Sequence, residues 1–204
     1  MTDPKIREGP GGADRVPGRD LWRIEPLPEE AIDSPLDRIF AQHLRHREAA
    51  QIMAFIADGD ELSRPDRTEI YAALSAFMAA DLIDHTLEEE QVFFPLLREN
   101  CEPQDGIDRV LARLSGEHMT DNGYRAELAP ALARAAEGGE LELSVRRKLR
   151  AFSEHLRQHI ALENAVVLPL ARARLGAAAI QRLDETLRSR RSKCGQADVR
   201  ANTD

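Results

Sequence analysis

Two pairs of residues in the sequence repeat the same spacing of a histidine and a glutamate. His85 precedes Glu89 by four residues, and His159 precedes Glu163 by four residues. On an α-helix this spacing places both side chains on one face about a turn apart, so that both can reach the same ion. Imidazole and carboxylate suit iron, manganese or zinc. The two pairs therefore predict a metal site that is shared by two helices.

The pairs belong to an internal repeat with an offset of 74 to 75 residues. This offset aligns residues 36–43 with residues 111–118, and the histidines at the ends of these segments, His43 and His118, coincide. Pro95 and Pro169 also coincide, so the second and fourth helices share the pattern His-x3-Glu-x5-Pro. Each half of the chain therefore supplies two imidazoles and one carboxylate.

One His-x3-Glu pair alone is more often a surface pair than a metal site. Four histidines and two glutamates buried without a metal would leave polar groups unpaired, each at a cost of about 1–3 kcal/mol. Glu89 and Glu163 are predicted to bridge two ions, each of which also takes two histidines and keeps open positions. The predicted ligands are His43, His85, Glu89, His118, His159 and Glu163.

Several neighbouring residues are predicted to lie outside this ligand set. His155 and Asp81 coincide in the repeat, and we expect them to pair with each other behind the ligands. His46 lies in a polar run and is interpreted as a surface histidine. Glu88 and Glu90, which flank Glu89, are interpreted as a solvated acidic face.

The elements that carry these residues are predicted to be helices, because aromatic residues make up only 4% of the chain and Ala, Leu, Arg and Glu are abundant. Two repeated αα-hairpins predict an all-α, up-down-up-down four-helix bundle with a short fifth helix at the C-terminus. Glycine and proline residues predict bends or a break in the third helix, at Gly116, Gly123 and Pro130. The predicted helices span residues 35–57, 65–100, 107–136, 143–175 and 177–190.

Composition indicates how the chain is divided into segments and which classes of partner are disfavoured. Residues 1–33 are rich in proline and glycine and predict a flexible arm, residues 34–190 predict the bundle domain, and residues 191–204 predict a disordered tail. A net charge of −8 argues against nucleic acid as a partner. No apolar run predicts a membrane span or a signal peptide, and the two distant cysteines fit a reducing cytoplasm.

In their order and spacing, these motifs resemble the hemerythrin-like, or HHE cation-binding, family between about residues 36 and 174. The resemblance implies an oxo- or hydroxo-bridged pair of iron ions, with the two glutamates bridging and the four histidines terminal. Oxygen-carrying hemerythrins have a second histidine where this chain has Asn122, and a His-x4-Asp where it has His-x3-Glu. Gln42 and Asn164 also replace glutamates that are usual beside the ligands. Ferritin-like proteins use Glu-x-x-His, which is absent from this sequence.

Three functions are compatible with such a site. The first is a binding module whose di-iron centre senses or stores dioxygen, nitric oxide or iron, and which signals through the flanking arm or a protein partner. The second is an enzyme that reduces peroxide or a related small oxidant at the same centre. The third is a metal-free interaction bundle. The same ligands also accept zinc or manganese.

Overall fold

The structure is a computed structural model that describes residues 34–201, with side chains described as far as residue 190. Every regular element in that range is helical, and it contains no strand. The prediction of an all-α helical bundle is confirmed. The predicted N-terminal arm, residues 1–33, lies outside the described residues. Among the helices that are described, none is long and apolar enough to cross a membrane.

Within residues 34–201, eight α-helices and three shorter helical turns follow one another. The α-helices are α1 Pro35–Ala57, α2 Arg64–Ala79, α3 Asp81–Glu88, α4 Phe94–Asn100, α5 Ile107–Ala136, α6 Leu143–Leu162, α7 Leu168–Arg174 and α8 Ala177–Ala201. A first π-turn, Glu89–Phe93, joins α3 to α4, and a second π-turn, Glu163–Val167, joins α6 to α7. A 3-10 turn, Pro103–Asp105, precedes α5.

Helix α1 has the predicted bounds, residues 35–57, and a local signal lies at each end. The backbone N–H of Leu36 donates to the Oγ of Ser34 at 3.3 Å, and Pro35 occupies the first helical turn, where its missing N–H is not needed. At the other end the chain turns at Gly59, whose φ of 96° is readily accessible only to glycine. Local sequence therefore fixes the limits of the helix that carries His43.

The predicted second and third helices differ from their expected shapes. The backbone of Ala80 leaves the helical region, with φ −127° and ψ −71°, and separates α2 from α3. Hydrogen bonding continues across this residue, because its N–H donates to the carbonyl of Ala76 and its carbonyl accepts from Asp84. Helix α5 runs unbroken through Gly116 and Pro130, so the predicted break does not occur.

The bundle consists of four long stretches: α1, α2 to α4, α5, and α6 to α7. Helix α1 lies along α6, α2 lies along α5, and α5 also contacts α6. Two apolar clusters form the core. Cluster A includes Met53, Ile56, Tyr71, Phe77, Leu128, Leu132 and Phe152. Cluster B includes Ile39, Phe93, Phe94, Leu111, Leu114 and Leu168.

A polar layer lies between the two clusters. Each long stretch of helix passes from one cluster to the other through this layer. Helix α1 contributes Ile39 to cluster B and Met53 to cluster A, with His43 between them. Helix α5 contributes Leu114 to cluster B and Leu128 to cluster A, and its His118 lies between them. The sequence thus places its histidines where the apolar periodicity is interrupted.

Helix α8 closes the cluster B end of the bundle, as predicted. Leu183 and Leu187 are fully buried in cluster B. The guanidinium of Arg190 donates to the side-chain oxygen of Gln91 at 2.6 Å, and so joins α8 to the first π-turn. The backbone of α8 is helical as far as Ala201, past the predicted end near residue 190 and into the predicted tail.

Candidate metal centre

The polar layer collects one histidine from each of the four long stretches, and a glutamate from two of them. Helix α1 supplies His43 and α5 supplies His118. Helix α3 with the first π-turn supplies His85 and Glu89, and α6 with the second π-turn supplies His159 and Glu163. All six side chains are at most 4% exposed, so the structure brings the six predicted ligands together in the interior.

Each glutamate stands at the first residue of a π-turn, a feature that the sequence analysis did not predict. The N–H of Phe94 donates to the carbonyl of Glu89, five residues earlier, and the N–H of Leu168 donates to the carbonyl of Glu163 in the same way. The prolines of the repeat follow one residue later. A proline ring lacks an N–H and crowds the carbonyl four residues before it, so a wider turn relieves that conflict. The shared His-x3-Glu-x5-Pro pattern was the available signal.

One group of facing ligand atoms is formed by two imidazoles and both glutamates. The Nε2 of His43 lies 3.2 Å from Oε2 of Glu163 and 3.7 Å from Oε1 of Glu89. The Nε2 of His85 lies 3.4 Å from Oε1 of Glu89. The ligand atoms of these four residues lie within 4.8 Å of one another, which is close enough for one ion to contact them all.

A second group uses the same glutamates and the other two imidazoles. The Nε2 of His118 lies 3.3 Å from Oε2 of Glu89, and the Nε2 of His159 lies 3.3 Å from Oε1 of Glu163. These ligand atoms also lie within 4.8 Å of one another. Glu89 and Glu163 belong to both groups, an arrangement in which each carboxylate can bridge two ions.

The facing atoms are buried but lack hydrogen-bond partners within the described part of the chain. This applies to Nε2 of His43, His85 and His118, and to all four carboxylate oxygens of Glu89 and Glu163. Burying polar atoms without partners costs free energy, and cations bound in the two groups would remove that cost by accepting lone pairs from these atoms. The donor set therefore fits a pair of metal cations.

Protonation in the metal-free protein is uneven across this cluster. Burial lowers the pKa of His85 to about 3 against the attraction of Glu89. Burial also opposes the charged form of His159, but the carboxylate of Glu163 outweighs it and raises the pKa to about 10. The two imidazoles therefore differ widely in pKa. Without a metal, protons on imidazoles partly neutralise the buried carboxylates, and a bound cation can neutralise them instead.

The two glutamates also differ in pKa. Burial favours the neutral form of Glu89, but the neighbouring imidazoles, His85 foremost, prevail and lower its pKa well below the usual range. The pKa of Glu163 is raised by burial and by the negative charge of Glu89. One carboxylate is therefore more readily ionised than the other when no metal neutralises their mutual repulsion.

The outer nitrogen of each imidazole is held by a polar side chain of the neighbouring stretch. Nδ1 of His43 lies 2.7 Å from the amide oxygen of Asn164, and Nδ1 of His85 lies 3.2 Å from the amide oxygen of Gln42. With Nε2 facing the glutamates, Nδ1–H donates to these oxygens and fixes the orientation of the ring. The position of His43 and His85 is named the amide-backed position.

The other two imidazoles are held by carboxylates. Nδ1 of His118 lies 2.7 Å from Oε1 of Glu90, and Nδ1 of His159 lies 2.9 Å from Oε2 of Glu117. This position is named the carboxylate-backed position. The interpretation of Glu90 as part of a solvated face is wrong, because it contacts a candidate ligand. The same holds for Glu88, which is buried and accepts a hydrogen bond from Gln42 at 2.9 Å.

The interpretation of His46 as a surface residue is also wrong, since it is only 2% exposed. Its ring packs edge-on against His85 and Phe77, with centroids 4.4 Å and 5.1 Å away. Burial, followed by the charge of His85, lowers its pKa well below the usual range. His46 belongs to neither group of facing ligand atoms and instead supports the ring of His85 from behind.

The predicted pairing of His155 with Asp81 does not form. Nε2 of His155 lies 2.9 Å from Oδ1 of Asp121, and the carboxylate of Asp81 lies 2.8 Å from the guanidinium of Arg45. The repeat aligned His155 with Asp81, but a residue faces its neighbour across the bundle, not its counterpart in the repeat. The buried Asp121 raises the pKa of His155. Asn122 is exposed and accepts from Arg125, so it takes no part in the site.

Comparison with known proteins gives the same family as the motifs. The family model of the hemerythrin HHE cation binding domain matches residues 34–171, which is more than half of the chain and includes all six facing residues. No match was found among curated proteins or among solved structures. The chain thus belongs to the hemerythrin HHE cation-binding family, and its histidine and glutamate groups fit a metal-cation site.

Proposed function

We propose that this protein holds a pair of non-heme iron ions and uses them to bind a small diatomic ligand, dioxygen or nitric oxide, as a sensing or storage module. One observation carries the proposal. Seven buried donor atoms without hydrogen-bond partners in the described chain face one another from four helical stretches. Together with the imidazole of His159 they form two groups that share Glu89 and Glu163.

The ligand count favours ions with open positions. In each group the protein offers two imidazole nitrogens and the oxygens of two shared carboxylates. Sites of histidine and carboxylate with open positions are typical of non-heme iron that meets oxygen. At such a site iron supplies a vacant position for a diatomic ligand and a change of one electron in oxidation state. The four histidines and two glutamates would hold the ions.

The surroundings favour a small ligand over a large substrate. The six facing residues are buried between clusters A and B, and Phe94 stacks on His118 with ring centroids 5.9 Å apart. A site buried between apolar clusters is reached more readily by a small molecule than by a large substrate. Dioxygen and nitric oxide are small in this sense, and so is peroxide, which is the substrate of the alternative function.

The test begins with metal analysis of the full chain purified without chelators, together with its optical spectrum under nitrogen, oxygen and nitric oxide. The proposal expects about two iron ions per chain and a spectrum that changes reversibly with the gas. If the spectrum does not change with the gas, and the protein reduces peroxide repeatedly in the presence of a reductant, the enzyme is favoured over the binding module. A protein that neither contains nor takes up iron would refute both functions.

A further inference from the structure

The two ends of the site carry the same supports in the same places but with different charge. Gln42 and Glu117 each stand one residue before a ligand histidine, and each holds the histidine of the neighbouring stretch. Asn164 and Glu90 each stand one residue after a candidate bridging glutamate, and each holds the remaining histidine. The internal repeat thus relates each amide to a carboxylate.

We infer that the two metal positions are unequal, with the carboxylate-backed position binding a cation more tightly, and filling first, than the amide-backed position. The inference rests on the proposed pair of ions. An imidazole that donates its Nδ1–H to an anion gains electron density at Nε2 and becomes a stronger metal ligand. His118 and His159 have such acceptors, whereas His43 and His85 donate to neutral amide oxygens.

Interactions of the supporting carboxylates reduce this difference without removing it. Glu90 also accepts a hydrogen bond from Ser115 at 3.0 Å, and Glu117 also accepts one from Arg113 at 2.8 Å. Arg113 is 60% exposed, so solvent screens much of its charge. Both carboxylates therefore contact an imidazole directly and can accept its Nδ1–H.

The amide-backed position has a buried carboxylate only one group further away. The amide nitrogen of Gln42 donates to Glu88, whose carboxylate accepts and cannot donate when ionised. This contact fixes the orientation of the amide and leaves its oxygen for Nδ1 of His85. The charge of Glu88 thus acts on His85 through a neutral amide, whereas the charges of Glu90 and Glu117 act on their imidazoles without an intervening group.

The inference is tested by titrating the metal-free full chain with cobalt(II), followed by calorimetry and by visible absorption. We expect two steps whose dissociation constants differ about tenfold or more, the range over which outer hydrogen-bond partners alter metal affinity. The double variant Glu90→Gln with Glu117→Gln is expected to weaken the tighter step about 10- to 100-fold, so that the two steps merge. Glu137→Gln with Glu154→Gln, at two exposed residues, is the matched control for the loss of two charges.

A gain of function provides the complementary test, should the double variant fold poorly. Asn164→Asp, which replaces the amide that holds His43 by a carboxylate, is expected to tighten the weaker step towards the tighter one. Two wild-type steps of equal affinity would overturn the inequality while leaving the metal pair intact. Two separate steps that are altered neither by Glu90→Gln with Glu117→Gln nor by Asn164→Asp would overturn the assignment to these supports. A chain that binds no cobalt(II) would instead refute the proposed metal centre.

Discussion

Glu89 is the residue whose change tests the proposed shared metal centre most directly. Its carboxylate lies 3.3 to 3.7 Å from the imidazoles of His43, His85 and His118, and it belongs to both groups of facing atoms. Glu89→Gln keeps the size of the side chain but replaces an anionic ligand by a neutral one. We therefore expect both ions to be bound more weakly, whereas His85→Ala should weaken only one.

The magnitude follows from the stabilisation that a native-state ligand provides. With zinc at 100 times its dissociation constant, each ion stabilises the fold by about 2.7 kcal/mol, or about 5–11 °C in Tm for a domain of this size. Two ions should therefore raise Tm by about 11–22 °C. A hundredfold loss of affinity leaves about 0.4 kcal/mol per ion, so that Glu89→Gln should retain a shift of only about 2–3 °C.

The assay is the difference in Tm between zinc-loaded and chelated protein, measured for each variant by circular dichroism. Comparing each variant with its own chelated form removes the effect of the substitution on the metal-free fold. His85→Ala should keep about half of the wild-type shift, and the exposed control Glu154→Gln should keep all of it. A Glu89→Gln protein that keeps half of the shift would show that Glu89 serves one ion, and would refute the bridging role.

Three further outcomes follow from the structure. Asp60 accepts hydrogen bonds from Tyr71 at 2.7 Å and from Arg67 at 2.9 Å, and these contacts lower its pKa. Its contribution to stability is therefore complete above the ordinary pKa of 3.8, and it is lost as the pH falls through the lower pKa of the folded state. Asp60→Asn should therefore cost about 1.5–3 kcal/mol in urea unfolding at neutral pH, and the cost should shrink in acid. Leu187→Ala should cost about 2–5 kcal/mol by the same measurement, because the side chain is fully buried in cluster B; an unchanged midpoint would contradict that packing. Metal binding should release protons near neutral pH, because the pKa of His159 is about 10 in the metal-free protein, and the metal affinity should therefore fall as the pH falls. Calorimetry that finds the same heat of binding in buffers of different ionisation enthalpy would argue against this release.

The six facing residues could be identified from the sequence because the internal repeat places the same residue types at corresponding positions in both halves of the chain. A histidine and a glutamate four apart share a helix face whatever surrounds them, and two such pairs at one offset restrict the fold to a symmetric bundle. The beginning of α1 was equally local, since Ser34 and Pro35 carry their own boundary signal. These features depend on residues close together in the chain.

The errors concern contacts between helices. His46 lies in a polar run, yet its ring is buried against Phe77 of another helix. Glu90 lies in an acidic run, yet it contacts His118 of α5. Helical periodicity gives the direction of a side chain but not its neighbour across the bundle, so such residues were assigned from their local polarity alone.

The π-turns were missed for a different reason. A single period of 3.6 residues was expected along the second and fourth helices. A wider turn after each glutamate shifts that period for the residues that follow it. The proline six residues after each glutamate was the visible trace of this change, because a proline ring crowds the carbonyl four residues before it.

The polar layer between clusters A and B also fixes how far the helices can slide along one another. A shift of one stretch by a single turn, about 5.4 Å, would carry its histidine into an apolar cluster and bring an aliphatic side chain opposite the two glutamates. Uniformly apolar helices tolerate such a slide at small cost, but here it would bury an imidazole among leucines. The layer that forms the candidate metal centre therefore also selects a single axial alignment of the bundle.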